Sequence, residues 1–170
     1  MKSFKVLVIA VFAAMACAFS GADANPKGLG EKALVALKKN DQAAFSTYYI
    51  TPAELKEQLK KSTNKQPFQQ ADDDELIDDY SSKYAKVGEL SFTRIRKDGE
   101  NKGIVWERAE LDYIQYPLIT VVKEVSKADV IINFKCDGKP YILKLKDCML
   151  TTKRGWCLFG EVRFEKVPKQ

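Results

Sequence analysis

Apolar residues along this chain recur first every three to four positions and then, from Trp106, every second position. Leu29, Ala33, Leu34 and Leu37 mark one face of a helix over Leu29 to Lys39, with Lys32, Lys38 and Lys39 elsewhere on it. Asp41 is placed to cap a short helix from Gln42 to about Tyr49, which would bury Phe45 and one of Tyr48 or Tyr49. Thr51-Pro52-Ala53-Glu54 combines a capping threonine, a first-turn proline and a glutamate three residues on. A helix is predicted from there to about Lys61, with Leu55 and Leu59 on one face. Ser62 to Ala71 is polar, contains a proline and reads as a loop. A longer helix follows from Asp72 to about Lys97, carried by Leu76, Tyr80, Tyr84, Val87 and Leu90. Gly88 weakens its middle, Ser91-Phe92-Thr93 is compatible with strand, and Asp98-Gly99 signals a turn.

The second half alternates. Ala109, Leu111 and Tyr113 interleave with Arg108, Glu110 and Asp112. A strand resumes after Pro117 over Leu118 to Val125, the proline marking an edge or a bulge. Three more strands are predicted over Val130 to Cys136, Tyr141 to Leu150 and Trp156 to Phe164. Asp137-Gly138-Lys139-Pro140 and Thr151-Thr152-Lys153-Arg154 are their turns. Helices first (about 29–97) and an antiparallel meander after them (about 104–166) predict an α+β domain over 25–170, the helices covering one face of a curved sheet.

The first twenty-four residues add a compartment. Lys2 and Lys5 precede an apolar run, Val6 to Ala16, too short to span a bilayer and right for a signal-peptide core. Cleavage after Ala22-Asp23-Ala24 is the favoured exit and predicts a periplasmic or secreted protein. The alternative is a lipoprotein-type exit at Ala16-Cys17, leaving Cys17 lipidated as an outer-membrane anchor and the only route to a membrane. Removing 1–24 takes the formal charge from +5 to about +4, a mild basicity with no call for nucleic acid in an exported chain.

Histidine is absent. That excludes Ser-His-Asp and Cys-His nucleophiles, histidine acid–base catalysis and the commonest transition-metal ligand. Asp72-Asp73-Asp74-Glu75 with Asp78 and Asp79 lacks the loop glycine and alternate spacing of an EF-hand. Acidic residues in a first helical turn complement the helix dipole instead. Neither a metal nor a cofactor is expected.

Three cysteines follow the leader: Cys136, Cys148 and Cys157. With Leu150 opposite Gly155 in the last hairpin, Cys148 falls directly across from Cys157, both pointing outward with Lys144, Lys146, Glu161 and Arg163. That register predicts a Cys148–Cys157 disulfide. Cys136 belongs to the inward row with Val130, Ile132 and Phe134, faces Tyr141, and is expected as a buried free thiol.

Tyr80, Tyr84, Trp106 and Tyr113 are candidates to line a cavity between helix and curled sheet. Regularly spaced aromatics serve equally as core filling. Asp147 falls on the inward row beside Leu145 and Met149. Buried there, its pKa would rise and it could act as a general base; at the sheet's end it would sit in water, the preferred reading.

Capped helices followed by a meander ending in Lys153-Arg154-Gly155-Trp156-Cys157-Leu158 resemble the nuclear transport factor 2-like, or cystatin-like, α+β cone over about Gly28 to Phe164. The resemblance implies a cone-shaped cavity. It transfers no site residue, and the Asp-His pair often used by enzymes of that superfamily has no counterpart here. The expected function is a non-catalytic binding or interaction domain for a small ligand or a protein, using the cone or the sheet. The alternative is an isomerase or hydratase using a carboxylate and a tyrosine inside the cone.

Overall fold

The computed structural model describes residues 25–61, 67–122 and 125–168; the leader, with both its processing sites and Cys17, lies outside them. Four helices, α1 (Lys27–Lys38), α2 (Gln42–Thr47), α3 (Pro52–Lys60) and α4 (Pro67–Asn101), precede six strands. These are β1 (Glu110–Gln115), β2 (Ile119–Val122), β3 (Val125–Cys136), β4 (Lys139–Thr151), β5 (Gly155–Cys157) and β6 (Val162–Glu165). The expected α+β class, with helices against a strongly curled antiparallel sheet, is the observed one. The long β3–β4 hairpin is its spine. β1 and β2 pair with the free side of β3, and β5 and β6 with the free side of β4, so each outer ribbon is broken in two.

The helix ends obey local chemistry. Asn40, at φ 54°, closes α1: its N–H donates to Leu37 O and that of Asp41 to Ala36 O. Asp41 Oδ1 accepts the Ala44 N–H at 2.8 Å and starts α2. The Thr51–Glu54 capping box forms as the sequence predicts. α4 departs from prediction, beginning at Pro67 within the predicted loop and running unbroken through Ser91–Thr93 and Asp98-Gly99. Its glycines are contact residues, not breakers. A Cβ at Gly88 would lie 2.6 Å from Ser46 Cα of α2, and one at Gly99 would lie 2.4 Å from Trp106 Cζ2.

Two apolar clusters sit on opposite faces of the sheet. The larger joins α1, α2 and the second half of α4 to Ile114, Val130, Ile132, Phe134, Leu143, Leu145 and Val162. The smaller joins Ile50 and Leu55 to Tyr80, Val125, Met149 and Cys157. Fully buried side chains of this size each contribute about 1.5–3 kcal/mol relative to exposure.

Backbone bulges explain where the predicted strand faces fail. Trp106–Arg108 is a 3-10 turn rather than strand. A register shift at Asp112 then puts Tyr113 opposite Asn133 on the face away from the larger core, while Ile114 takes the core position opposite Ile132. The 137–138 turn has two residues, both at positive φ, so Cys136 faces Lys139 and Phe134 faces Tyr141. Cys136 is nevertheless buried and free, as expected.

The decisive bulge is in β4. Ala128 pairs with Cys148 and Val130 with Leu145, so Lys146 and Asp147 together oppose Asp129. Asp147 takes φ 51°, and its N–H donates to Asp129 Oδ1 at 3.0 Å. Lys144 Nζ lies 2.7 Å from the other oxygen of Asp129. One extra residue inverts every later side chain. Cys148 turns into the larger core beside Leu145, and Met149 turns out to the smaller one.

The predicted register of the last hairpin is therefore corrected. Thr151 pairs with Gly155 and Met149, not Cys148, pairs with Cys157. Both cysteines are free and buried, on opposite faces of the sheet. Burial pushes both thiols up.

Candidate functional site

The tip of the last hairpin is locked to the helices through one side chain. Arg154, in the turn between β4 and β5, reaches the junction of α2 and α3. Its Nε donates to Glu54 Oε1 at 2.7 Å, and its Nη2 donates to Glu54 Oε2 and, at 2.9 Å, to Tyr49 O. Nη1 donates to Thr47 O. The guanidinium thus satisfies backbone acceptors at the end of α2 while gripping the glutamate that caps α3, a bidentate use that lysine could not reproduce.

Glu54 is buried, and its capping role is completed by the Thr51 N–H and hydroxyl, at 2.9 and 2.8 Å from Oε2. Burial alone would raise its pKa, but the donors from Arg154 and Thr51 outweigh that and push it down to about 2. Nearby, Thr152 Oγ1 donates to Glu57 Oε1 at 2.7 Å. Leu158 then lies parallel to the chain at Tyr49, giving its N–H to Tyr48 O and its carbonyl to the Ile50 N–H, both at 2.8 Å. This constellation is structural: every nitrogen of the guanidinium donates to a protein acceptor, and the glutamate is held ionised rather than poised to exchange a proton.

The predicted cavity residues do not converge. Tyr80 is buried in the smaller cluster, its hydroxyl donating to Ile50 O at 2.7 Å, and its ring lies 5.9 Å from that of Tyr84. Burial pushes the Tyr80 hydroxyl up, away from any acid–base role near neutrality. Trp106 lies in the larger core, stacked on Phe134, with its indole N–H donated to Arg96 O at 3.1 Å. Tyr113 is half exposed on the outer side of β1. Asp147 is exposed at the bulge in the middle of β4, not at the end of the sheet where the sequence reading put it, and is not among the core residues beside Leu145. No grouping of carboxylates and cysteines that could hold a metal occurs among the described residues, and no described helix is long and apolar enough to cross a membrane.

What the sequence reasoning missed lies at the sheet edge. Pro117 marked an edge, and β2 is one. Ile119 and Val121 pair with Ala128 and Ser126, so they lie on the core face of the sheet, yet they are 36% and 67% exposed, and adjacent Leu118 is 65% exposed. α1 packs against β1 and β3 but has no comparable contact with β2. Core-face side chains are here left uncovered among the described residues. The available signal was the uncharged run Gln115 to Val122 in a chain that is 30% charged.

β1 is guarded differently from β2. It carries a bulge at Asp112, whose carboxylate pairs with Lys135 at 3.2 Å, and Pro117 follows it. Charges, bulges and prolines are the usual devices that stop edge strands from pairing with other chains. The four residues of β2 themselves carry none of them, although Pro117 also precedes this strand.

Fold and site together define an α+β protein of helices on a curled antiparallel sheet, braced by Arg154 and open at one apolar edge. No protein family, curated protein or solved structure matches this chain.

Proposed function

We propose that this chain is an exported, non-catalytic interaction domain on a nuclear transport factor 2-like scaffold, and that it binds a protein partner through the β2 edge. The observation that carries the reading is the exposure of Leu118, Ile119 and Val121 on an unguarded edge strand. An edge of this kind offers unpaired backbone groups for strand addition and alternate side chains for selectivity. The cone is the weaker binding surface, because Tyr80 and Trp106 direct their polar atoms to backbone carbonyls of the protein itself. The enzyme alternative draws no support from Asp147, which stands in solvent.

Export through the leader belongs to the same proposal, with cleavage after Ala24 favoured over lipidation at Cys17. A photo-crosslinking residue placed at Val121, with one at exposed Lys83 on α4 as control, tests the binding site in exporting cells. Protein adducts are expected from position 121 and not from position 83. Absence of adducts at 121 would overturn the reading.

A further inference from the structure

We propose that Asp137-Gly138 is a site of covalent self-modification, where the backbone closes to a succinimide and reopens as isoaspartate. The chain holds two Asp-Gly pairs, Asp98-Gly99 and Asp137-Gly138, and both carry the residues the reaction needs. The glycine nitrogen attacks Cγ of the protonated aspartate carboxyl, a C–N bond forms, and the carboxyl OH leaves with the amide proton as water. Water then adds at the aspartate backbone carbonyl and breaks its bond to that nitrogen, so the main chain continues through Cβ. The steps release one water and take one up, and no other reactant is consumed.

The fold separates the two pairs. Ring closure needs Cβ eclipsed with the following nitrogen about the Cα–C bond; for an L-residue that is ψ of about −120°, the value a type II′ turn has at its first central residue. Asp137 stands at φ 52° and Gly138 at φ 76°, which makes the β3–β4 turn type I′. Types I′ and II′ both close two-residue hairpins, share a positive φ at the first central residue and differ by rotation of the peptide between the two. Asp137 O and the Gly138 N–H, the groups that rotate, take no hydrogen bond among the described residues, and the space beside Gly138 is open. Glycine also accepts the change in the sign of φ that the rotation brings. Arg108 Nη2 lies 3.1 Å from Asp137 Oδ2, but both side chains are more than half exposed and the pair is a weak restraint.

Asp98 has no such route. It lies inside α4, where its carbonyl accepts the Lys102 N–H at 3.2 Å and the carbonyl of Gly99 accepts the Ile104 N–H at 2.9 Å. Gly99 itself packs against the Trp106 ring. Turning the 98–99 peptide breaks the end of the helix. At the other site the consequence is structural: an isoaspartyl link adds one main-chain atom to the turn that sets Cys136 opposite Lys139.

Purified protein expressed from the full chain is held near neutral pH for weeks, natively and in denaturant, then digested. Isoaspartate is located by labelling with an isoaspartyl methyltransferase and by electron-transfer fragmentation of the peptides. In the native protein it should accumulate at 137 and exceed that at 98 at least about tenfold, since Asp98 reacts only through local opening of α4. In denaturant the two positions should be comparable. Native protein without isoaspartate at 137 would overturn the proposal, as would a native ratio of 137 to 98 no greater than the ratio in denaturant.

Discussion

Arg154 and Glu54 stand 100 residues apart in sequence, yet the arginine Nε lies 2.7 Å from a glutamate oxygen that also belongs to a helix cap. The pair joins the last hairpin to the α2–α3 junction, between Tyr49 of the larger apolar cluster and Leu55 of the smaller in the chain.

Arg154→Ala should destabilise the fold by about 1–3 kcal/mol. It removes charge-assisted bonds and strands a buried carboxylate, but the arginine is a third exposed and solvent screens part of the loss. Arg154→Lys should recover only part of this, because an ammonium cannot span Glu54, Thr47 O and Tyr49 O together. Denaturant midpoints for the three proteins decide it. Equal stability of all three would mean the contact is dispensable.

The same pair predicts an acid dependence. Glu54 ionises in the folded protein down to about pH 2, against an ordinary value of 4.5. Because its folded pKa is depressed, its contribution is complete above the ordinary value and is lost as pH falls from there through about 2. Wild type should therefore lose melting temperature more steeply than Glu54→Gln between about pH 5 and 2. Parallel curves would contradict the assignment. Asp129, whose pKa is also lowered despite its burial by Lys144 and the Asp147 N–H, acts in the same direction in both proteins.

Gly88→Ala and Gly99→Ala reverse the usual helix rule. An exposed mid-helix glycine costs about 1 kcal/mol relative to alanine, so replacement normally stabilises. Here the new methyl would meet Ser46 Cα at 2.6 Å or the Trp106 ring at 2.4 Å. Each substitution should lower stability by about 1–3 kcal/mol. A rise in melting temperature would show that α4 does not approach so closely.

At the β4 bulge, Asp147→Val should cost about 1–2 kcal/mol, because a β-branched residue is strained at φ 51°, whereas Asp147→Gly should be neutral or mildly stabilising. Asp129→Ala should loosen the bulge by removing the acceptor for the Asp147 N–H. Hydrogen exchange at that amide is the direct readout. Unchanged protection would rule out the bond.

Cys136, Cys148 and Cys157 should all be thiols, slow to alkylate in the native protein and fully reactive once unfolded. Intact mass with and without reductant decides between this and a bridge. A two-hydrogen difference mapping to Cys148 and Cys157 would require a β4–β5 register other than the one described.

The helical half was largely legible because its signals are local. Asp41, Thr51 and Glu54 act on backbone groups within three residues, and the spacing of Leu29, Ala33 and Leu37 selects one face whatever it later meets. Gly88 and Gly99 were misread as breakers. A glycine chosen for close approach looks in sequence like one chosen to end a helix.

By itself, the sequence determined the α+β order, the caps, the presence of hairpin turns within Asp137–Pro140 and Thr151–Arg154, and the burial of Cys136. Only the tertiary structure decided which way β1 and β4 face beyond their bulges. Side-chain direction alternates with a period of two, so a single inserted residue reverses everything beyond it, and alternation cannot reveal that Asp112 or Asp147 is that residue. The same reversal separated Cys148 from Cys157. It also took the full packing to show that α1 packs against β1 and β3 with no comparable contact to β2, leaving Ile119 and Val121 open on the edge that Pro117 marked.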